Sequence, residues 1–272
     1  MRWILATCLA GCAGLDHPLP DDPSDWFDAG NPLEVIEPLA FTEEPYAVTG
    51  STAIGDLPIA EPYQSLFAPG PLPTCPDWAT SSELPAQIEG IVTVFPRLYF
   101  KTEGCDGDDE KYYGSYFIQD ASGGIFVLGD SKVAHFDAGD RVSLSIRGVA
   151  NVYDLPMVTA HDVIEIERGP EPIYYQVPSG PLDLPDIALV RRVEGDVISE
   201  KDTFGAFQVL ADNGTTYDIT LDVELNRRGV DYPVGTRIIV TGPVLYSYSI
   251  FAIVVMQIGQ VEIVDPATGS SG

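Results

Sequence analysis

The sequence is poor in cations, in histidine and in long apolar runs. Lys and Arg together number 14 against 41 Asp and Glu, a formal net charge of −27. Nucleic-acid binding draws most of its affinity from cationic contacts to phosphate, so this balance argues against it. It argues equally against a charge-driven grip on anionic lipid, while keeping a chain soluble and repelling other polyanions. The three histidines, His17, His135 and His161, are scattered, and His161-Asp162 is an isolated pair expected to be solvated. There is no Gly-x-Ser-x-Gly elbow, no His-Glu-x-x-His and no phosphate-cradling Gly-x-x-x-x-Gly-Lys. The expectation is a protein that is not an enzyme and takes no cofactor. No apolar run after the N-terminus approaches the ~18 residues of a membrane span; Ile250 to Val255 is of strand length.

What is present begins at the N-terminus. One basic residue, Arg2, precedes an apolar run from Trp3 to Ala10, and Leu9-Ala10-Gly11-Cys12 follows the pattern of an export signal with small residues before a cleavage point. The stretch before the cysteine is shorter than the roughly 15–30 residues usual for such signals. With a cysteine directly after Leu-Ala-Gly, it resembles the lipobox of bacterial lipoproteins. That resemblance implies a signal peptide over 1–11, acylation of Cys12 and membrane association through the lipid. Ala13 resembles outer-membrane sorting more than inner-membrane retention. Conventional secretory cleavage just after Cys12 is the alternative.

Cysteine is scarce, at 4 residues. Cys8 would leave with the signal and Cys12 would carry lipid, leaving Cys75 and Cys105. In an oxidising compartment they are expected to pair as one disulfide, closing a loop worth roughly 3–3.5 kcal/mol in the chain-entropy model; two unpaired thiols are the alternative. A zinc site would need more Cys or His nearby.

From Asp16 to Pro85 there are 13 prolines, 13 acidic residues and no Lys or Arg. Proline removes backbone donors and like charges repel, so residues 12–84 read as an extended, poorly packed tether. Such a segment would span on the order of 45–50 Å as a coil and about 200 Å in polyproline II. Trp26, Phe27, Phe41, Tyr46, Tyr63, Phe67 and Trp78 interrupt it, which allows parts of it to dock on the folded region.

From about Leu84 short apolar runs alternate with turn signals, the mark of an all-β region, and the pattern occurs twice. Ile88-Glu89-Gly90-Ile91-Val92 matches Val193-Glu194-Gly195-Asp196-Val197. A hairpin follows each: Tyr116-Phe117-Ile118-Gln119-Asp120 with Ile125-Phe126-Val127-Leu128, then Phe207-Gln208-Val209-Leu210 with Thr216-Tyr217-Asp218-Ile219. Asn213-Gly214 in the second turn suits a type I′ geometry. A short helix is expected over Ser131 to Phe136 and over Asp222 to Arg228. Next come Gly139-Asp140-Arg141-Val142 through Gly148 and Gly235-Thr236-Arg237-Ile238 through Gly242. Closing strands are expected at Met157–Val158 with Val163–Ile166, and at Ser249–Met256 with Gln260–Val264. The order repeats, which is an internal duplication.

Strand, hairpin, short helix, Gly-x-Arg strand and closing strand is the order of an OB-fold, a five-stranded Greek-key barrel; other small β-sandwiches share parts of it. Tyr116 to Asp120, Gly124 to Val127, Gly139 to Val142 and Gly148 resemble OB-type domains of secreted bacterial nucleases and surface lipoproteins. The second copy departs from that pattern, with Ala211 where Gln119 would stand. The expected organisation is an all-β protein with a first barrel over 85–170, a linker over 171–188, a second barrel over 189–265 and a tail over 266–272.

OB-folds bind through the face of their second and third strands. Tyr112, Tyr113, Tyr116 and Phe126 in the first copy, with Tyr246 and Tyr248 in the second, are candidate stacking platforms, although period-2 alternation assigns half of such aromatics to the core. Arg141 and Arg237 recur at one position, which points to a structural role. Asp106, Asp108, Asp109 and Glu110 follow Gly104-Cys105 and supply oxygen ligands of the kind calcium takes; the cluster lacks EF-hand spacing and reads first as a solvated acidic loop. The leading expectation is a non-catalytic envelope lipoprotein whose tandem barrels bind a protein or glycan. The alternative is a nucleic-acid-binding accessory to a secreted nuclease.

Overall fold

The computed structural model describes residues 39–46, 51–57, 86–96, 98–103, 109–129, 137–152, 155–169, 171–247 and 250–265. The lipobox with Cys12, and Cys75 and Cys105 with their expected disulfide, lie outside these residues, as does the helix expected over Ser131 to Phe136.

The first half contains β1 (Phe41–Thr42), β2 (Ala86–Val92), β3 (Leu98–Glu103), β4 (Asp109–Gln119), β5 (Gly124–Val127), β6 (Arg141–Val152) and β7 (Leu155–Glu167). β8 (Ile173–Tyr174) leads to β9 (Val190–Val197), β10 (Ala206–Ala211), β11 (Thr216–Leu221), helix α1 (Val223–Arg227), β12 (Arg237–Ser247), β13 (Ile250–Val255) and β14 (Val261–Asp265). Each copy closes a five-stranded ring, β2–β6–β7–β5–β4 and β9–β12–β13–β11–β10. Closure comes from one parallel pairing per barrel, Phe126 with Met157 in the first and Asp218 with Ala252 in the second, all other barrel pairings being antiparallel. Both barrels are therefore OB-like. Alternation fills them: Ile88, Tyr116, Ile118, Ile125, Val142 and Leu144 point into the first barrel, and Val193, Phe207, Val209, Tyr217, Ile238 and Val240 into the second.

The repeated Glu-Gly and Gly-x-Arg motifs prove to be partners. Arg237 bonds Glu194 at 2.9 Å and Arg141 lies 3.9 Å from Glu89, across equivalent strand pairs. The glycine permits the next strand to cross: a Cβ on Gly195 would stand 2.3 Å from the Leu210 carbonyl oxygen.

Several expectations need correction. Asn213-Gly214 does not form a type I′ turn. Gly214 has φ +80° while Asn213 does not take positive φ, and the Ala211 N–H donates to the Thr215 carbonyl at 2.9 Å. This is a type I turn with a left-handed glycine bulge. The closing element of the first copy is one strand of 13 residues, with register shifts where it bends around β6. In the second copy it breaks at Ile258–Gln260, because the Gln260 side chain accepts from the Met256 N–H at 2.7 Å and donates to the Thr241 and Val254 carbonyls at 3.1 Å. The helix over Asp222 to Arg228 is present as α1, capped by the Asp222 carboxylate.

Part of the region read as a tether is packed. β1 pairs in parallel with β8, Leu39, Phe41 and Tyr46 cover Ile91, Ile173 and Val190, and Ile54 joins the core of the first barrel at 2% exposure. The linker over 171–188 is anchored at a few points, Ile173 against the first barrel, Leu182 against the second, and Ile187 and Ala188 between them. One apolar cluster spans the junction, with Phe117, Phe126, Leu155 and Met157 from the first barrel and Val254 and Met256 from the second.

Candidate functional site

The face of the second and third strands differs between the barrels. In the first, Phe117 and Phe126 form the central outward cross-strand pair of β4 and β5. Their rings meet edge to face at 5.2 Å and both are sealed under the second barrel, at 0% and 2% exposure. The linker closes the rest. The Gln119 side chain donates to the Tyr174 carbonyl at 3.1 Å and accepts from the Val190 N–H at 2.7 Å. This face has become an interface.

In the second barrel the equivalent pair is Gln208 and Asp218 on β10 and β11, joined by a side-chain hydrogen bond of 3.0 Å. Leu210, 39% exposed, lies opposite Thr216 on the same face. The hairpin tip above carries Asp212, whose carboxylate accepts from Arg237 at 2.7 Å; Arg237 also meets Glu194 at 2.9 Å and Asp196 at 3.6 Å. The Arg237 bond holds the Asp212 carboxyl below its ordinary range, and the same bond raises Arg237 further. This face is open and polar.

Of the anticipated stacking residues, Tyr116, Phe126 and Tyr246 do not form a platform on an open face. Tyr116 points into the first barrel at 2% exposure with its ring 6.5 Å from that of His161, and burial pushes its hydroxyl pKa up. Phe126 points outward but lies under the second barrel. Neither presents a ring face to a ligand, so both are corrected to packing residues. Tyr246 is half-buried against Phe251 at 4.5 Å beside the inter-barrel cluster, on β12, with β13 between it and β11. Tyr112 and Tyr113 sit where β4 runs beyond the barrel to pair with Phe100 and Tyr99 of β3; Tyr248 lies outside the described residues. Asp109 and Glu110, expected in an acidic loop, are strand residues opposite Glu103 and Thr102, while Asp106 and Asp108 lie outside the described residues. Among the described residues no group of three or more His, Cys, Asp or Glu is placed to hold a metal.

Gln208, Asp218 and Gln119 were not singled out from sequence. Reading Ala211 against Gln119 slips the register by one. The structure matches Leu210 to Gln119, because Ile91 faces Gln119 as Asp196 faces Leu210. With that register, the outward Phe–Phe pair and the outward Gln–Asp pair were legible side by side.

Electrostatics narrows what the open face can take. Arg192 pairs with Glu262 at 3.5 Å, Arg227 with Glu224 at 2.8 Å, Arg191 with Asp186, and Arg237 with the three carboxylates above. These guanidiniums are held by the chain itself. The open face offers amide, hydroxyl and carboxylate groups around one exposed leucine.

No protein-family model matches the sequence, and no curated protein matches it. Among solved structures, a similar chain is that of the crystal structure of the tetrameric p202 HIN2, with 10% identity and a TM-score of 0.28 over 65% of this chain and 91% of that one. The OB-like assignment rests instead on strand order and closure.

Proposed function

We propose that this protein is a non-catalytic interaction module of the cell envelope, displayed from the outer membrane by a lipid on Cys12 and binding a protein or glycan through the β10–β11 face of its second barrel. The observation that carries the reading is the contrast between equivalent pairs, Phe117–Phe126 sealed and Gln208–Asp218 only half-buried beside the exposed Leu210. Side-chain amides, hydroxyls and carboxylates around an apolar centre suit peptide backbone and sugar hydroxyls. Phosphate recognition would need outward guanidiniums, and those of this barrel are occupied by Glu194, Asp212, Glu224 and Glu262. That internal neutralisation, with the net charge of −27, favours a protein or glycan over nucleic acid.

Two experiments test the proposal. Cys12→Ser should leave unprocessed precursor and release the protein from membranes; partitioning like wild type refutes the anchor. On glycan and envelope-protein arrays, a ligand should bind saturably and lose at least tenfold affinity on Gln208→Ala with Leu210→Ala. Saturable binding to single-stranded DNA or RNA at about 50 mM salt, falling steeply as salt rises, refutes the choice of partner.

A further inference from the structure

The described residues between Leu39 and Leu57 contribute no strand to the first barrel, whose ring closes without them. Their two stretches are nevertheless held as a separate peptide would be. The Ile173 N–H donates to the Ala40 carbonyl at 2.8 Å, Tyr175 N–H to Thr42 at 2.9 Å and Ala121 N–H to Tyr46 at 2.9 Å, while Thr52 N–H donates to Gln87 at 2.7 Å. Main-chain bonds of this kind give affinity, and side-chain pockets add specificity. Two pockets are filled. The Tyr46 hydroxyl donates to Glu89 at 2.6 Å with its ring under the Arg141 guanidinium, 4.5 Å away. Ile54 is buried in the barrel core, its N–H donating at 2.9 Å to the Asp120 carboxylate, itself only 3% exposed.

The second barrel fills the equivalent core position from its own strand, and the residue its preceding segment adds to that core, Leu182, is only partly buried. Tyr217, paired with Val209, stands where the first barrel has Ile125 paired with Ile118. The larger ring is buried within its own barrel. The first barrel has the smaller Ile125 and adds Ile54 from the N-terminal segment to the same cluster.

We infer that the first barrel, with the strand Ile173–Tyr174 beside it, carries a peptide-docking groove, occupied here in cis by residues 39–46 and 51–57, that accepts the same segment from a second copy of the chain. The pockets fit this sequence, and a second copy is a molecule that carries it. Residues 58–85 separate Leu57 from Ala86, and a chain of that length can reach about 90 Å when extended, enough to cross to a neighbouring molecule. Exchange of an identical segment costs little, because the contacts made in trans reproduce those made in cis.

The test uses the full chain and a labelled peptide of residues 39–57. In one form Ile54→Asp empties the chain's own pocket. Because that change also removes a core side chain, a second form keeps the wild-type segment and carries a protease site within residues 58–85, cut after folding. The peptide should bind saturably, and a peptide with Tyr46→Ala and Ile54→Asp should bind at least tenfold more weakly. A mixture of the Ile54→Asp chain with a chain that keeps the wild-type segment but carries Glu89→Ala and Asp120→Ala in its pockets should yield a two-chain species by light scattering. No saturable binding to either form, equal binding of the control peptide, or a mixture that stays monomeric overturns the inference.

Discussion

Replacing Phe117 with Ala tests whether the second barrel is bound to the first as one body. Phe117 is 0% exposed and packs edge to face on Phe126 in a cluster that includes Leu155, Met157, Val254 and Met256. Truncating such a side chain typically costs about 3–5 kcal/mol, as lost transfer energy plus a cavity. An interface between two barrels can close part of its cavity by a small rotation, so the lower half of that range, about 3–4 kcal/mol, is expected. Gln208 occupies the equivalent position on the open face, and its side chain makes one hydrogen bond, of 3.0 Å, to Asp218. Gln208→Ala should stay within about 0.5 kcal/mol.

Guanidinium unfolding followed by circular dichroism measures both free energies, and calorimetry adds shape. At about 2–4 °C per kcal/mol for a unit of this size, Phe117→Ala should lower Tm by roughly 6–16 °C and Gln208→Ala by no more than about 2 °C. Loss of coupling should also broaden or split the transition of the Phe117 variant, since separate barrels no longer unfold together. Free energies for the two variants that differ by less than about 1 kcal/mol would refute the sealed interface.

Gly195→Ala would place a Cβ 2.3 Å from the Leu210 carbonyl oxygen and 2.7 Å from its carbon, so β9 and β10 must part. A cost of about 1–3 kcal/mol or more is expected, and a barrel that tolerates the change in urea as well as wild type does would contradict the crossing. Gln119→Leu strands the Val190 N–H and the Tyr174 carbonyl, at about 1–3 kcal/mol for each group left unsatisfied. Hydrogen exchange at the Val190 amide should accelerate, and unchanged protection would count against the clamp. Burial holds the His161 imidazole below its ordinary pKa of 6.5. Between the folded value and 6.5 the unfolded chain binds a proton that the folded chain does not. The stability this group provides is complete above 6.5 and is lost as pH falls through that window. His161→Gln should flatten the slope of stability against pH just below 6.5; equal slopes in the two proteins would rule this out.

The duplication was legible because it is written in residues with local jobs. Gly90 and Gly195 mark where one strand crosses another, and Arg141 and Arg237 start the strands that pair with Glu89 and Glu194. Turn glycines and alternating apolar runs carry their meaning within a few positions. The extension formed by β3 and the first half of β4 was not legible. Lys101-Thr102-Glu103 and Asp109-Glu110-Lys111 pair outside the ring, and their sequence lacks the apolar–polar alternation that marks a half-buried strand. The docking of Ile54 was hidden for a different reason. Proline and acidic residues dominate its neighbourhood, and its partners Asp120 and Ile88 stand far along the chain. Composition measures whether a segment can fold alone, and this one folds onto something else.

The site was misread through a single step of register. A strand has period two, so a slip of one residue exchanges every inward side chain for an outward one. Matching Ala211 to Gln119 sets Gln208 against Tyr116 rather than Phe117 and hides the contrast that separates the two faces. Even with the register right, Phe117 and Phe126 alone would read as an inviting aromatic platform on an outward face. Only the second barrel converts them to core, through Val254 and Met256. Those two residues stand on and just after β13, whose own outward side would otherwise be an exposed apolar strip. Each barrel thus supplies the apolar surface that the other needs covered, and the copy that kept a polar pair on β10 and β11 is the one left able to meet a partner.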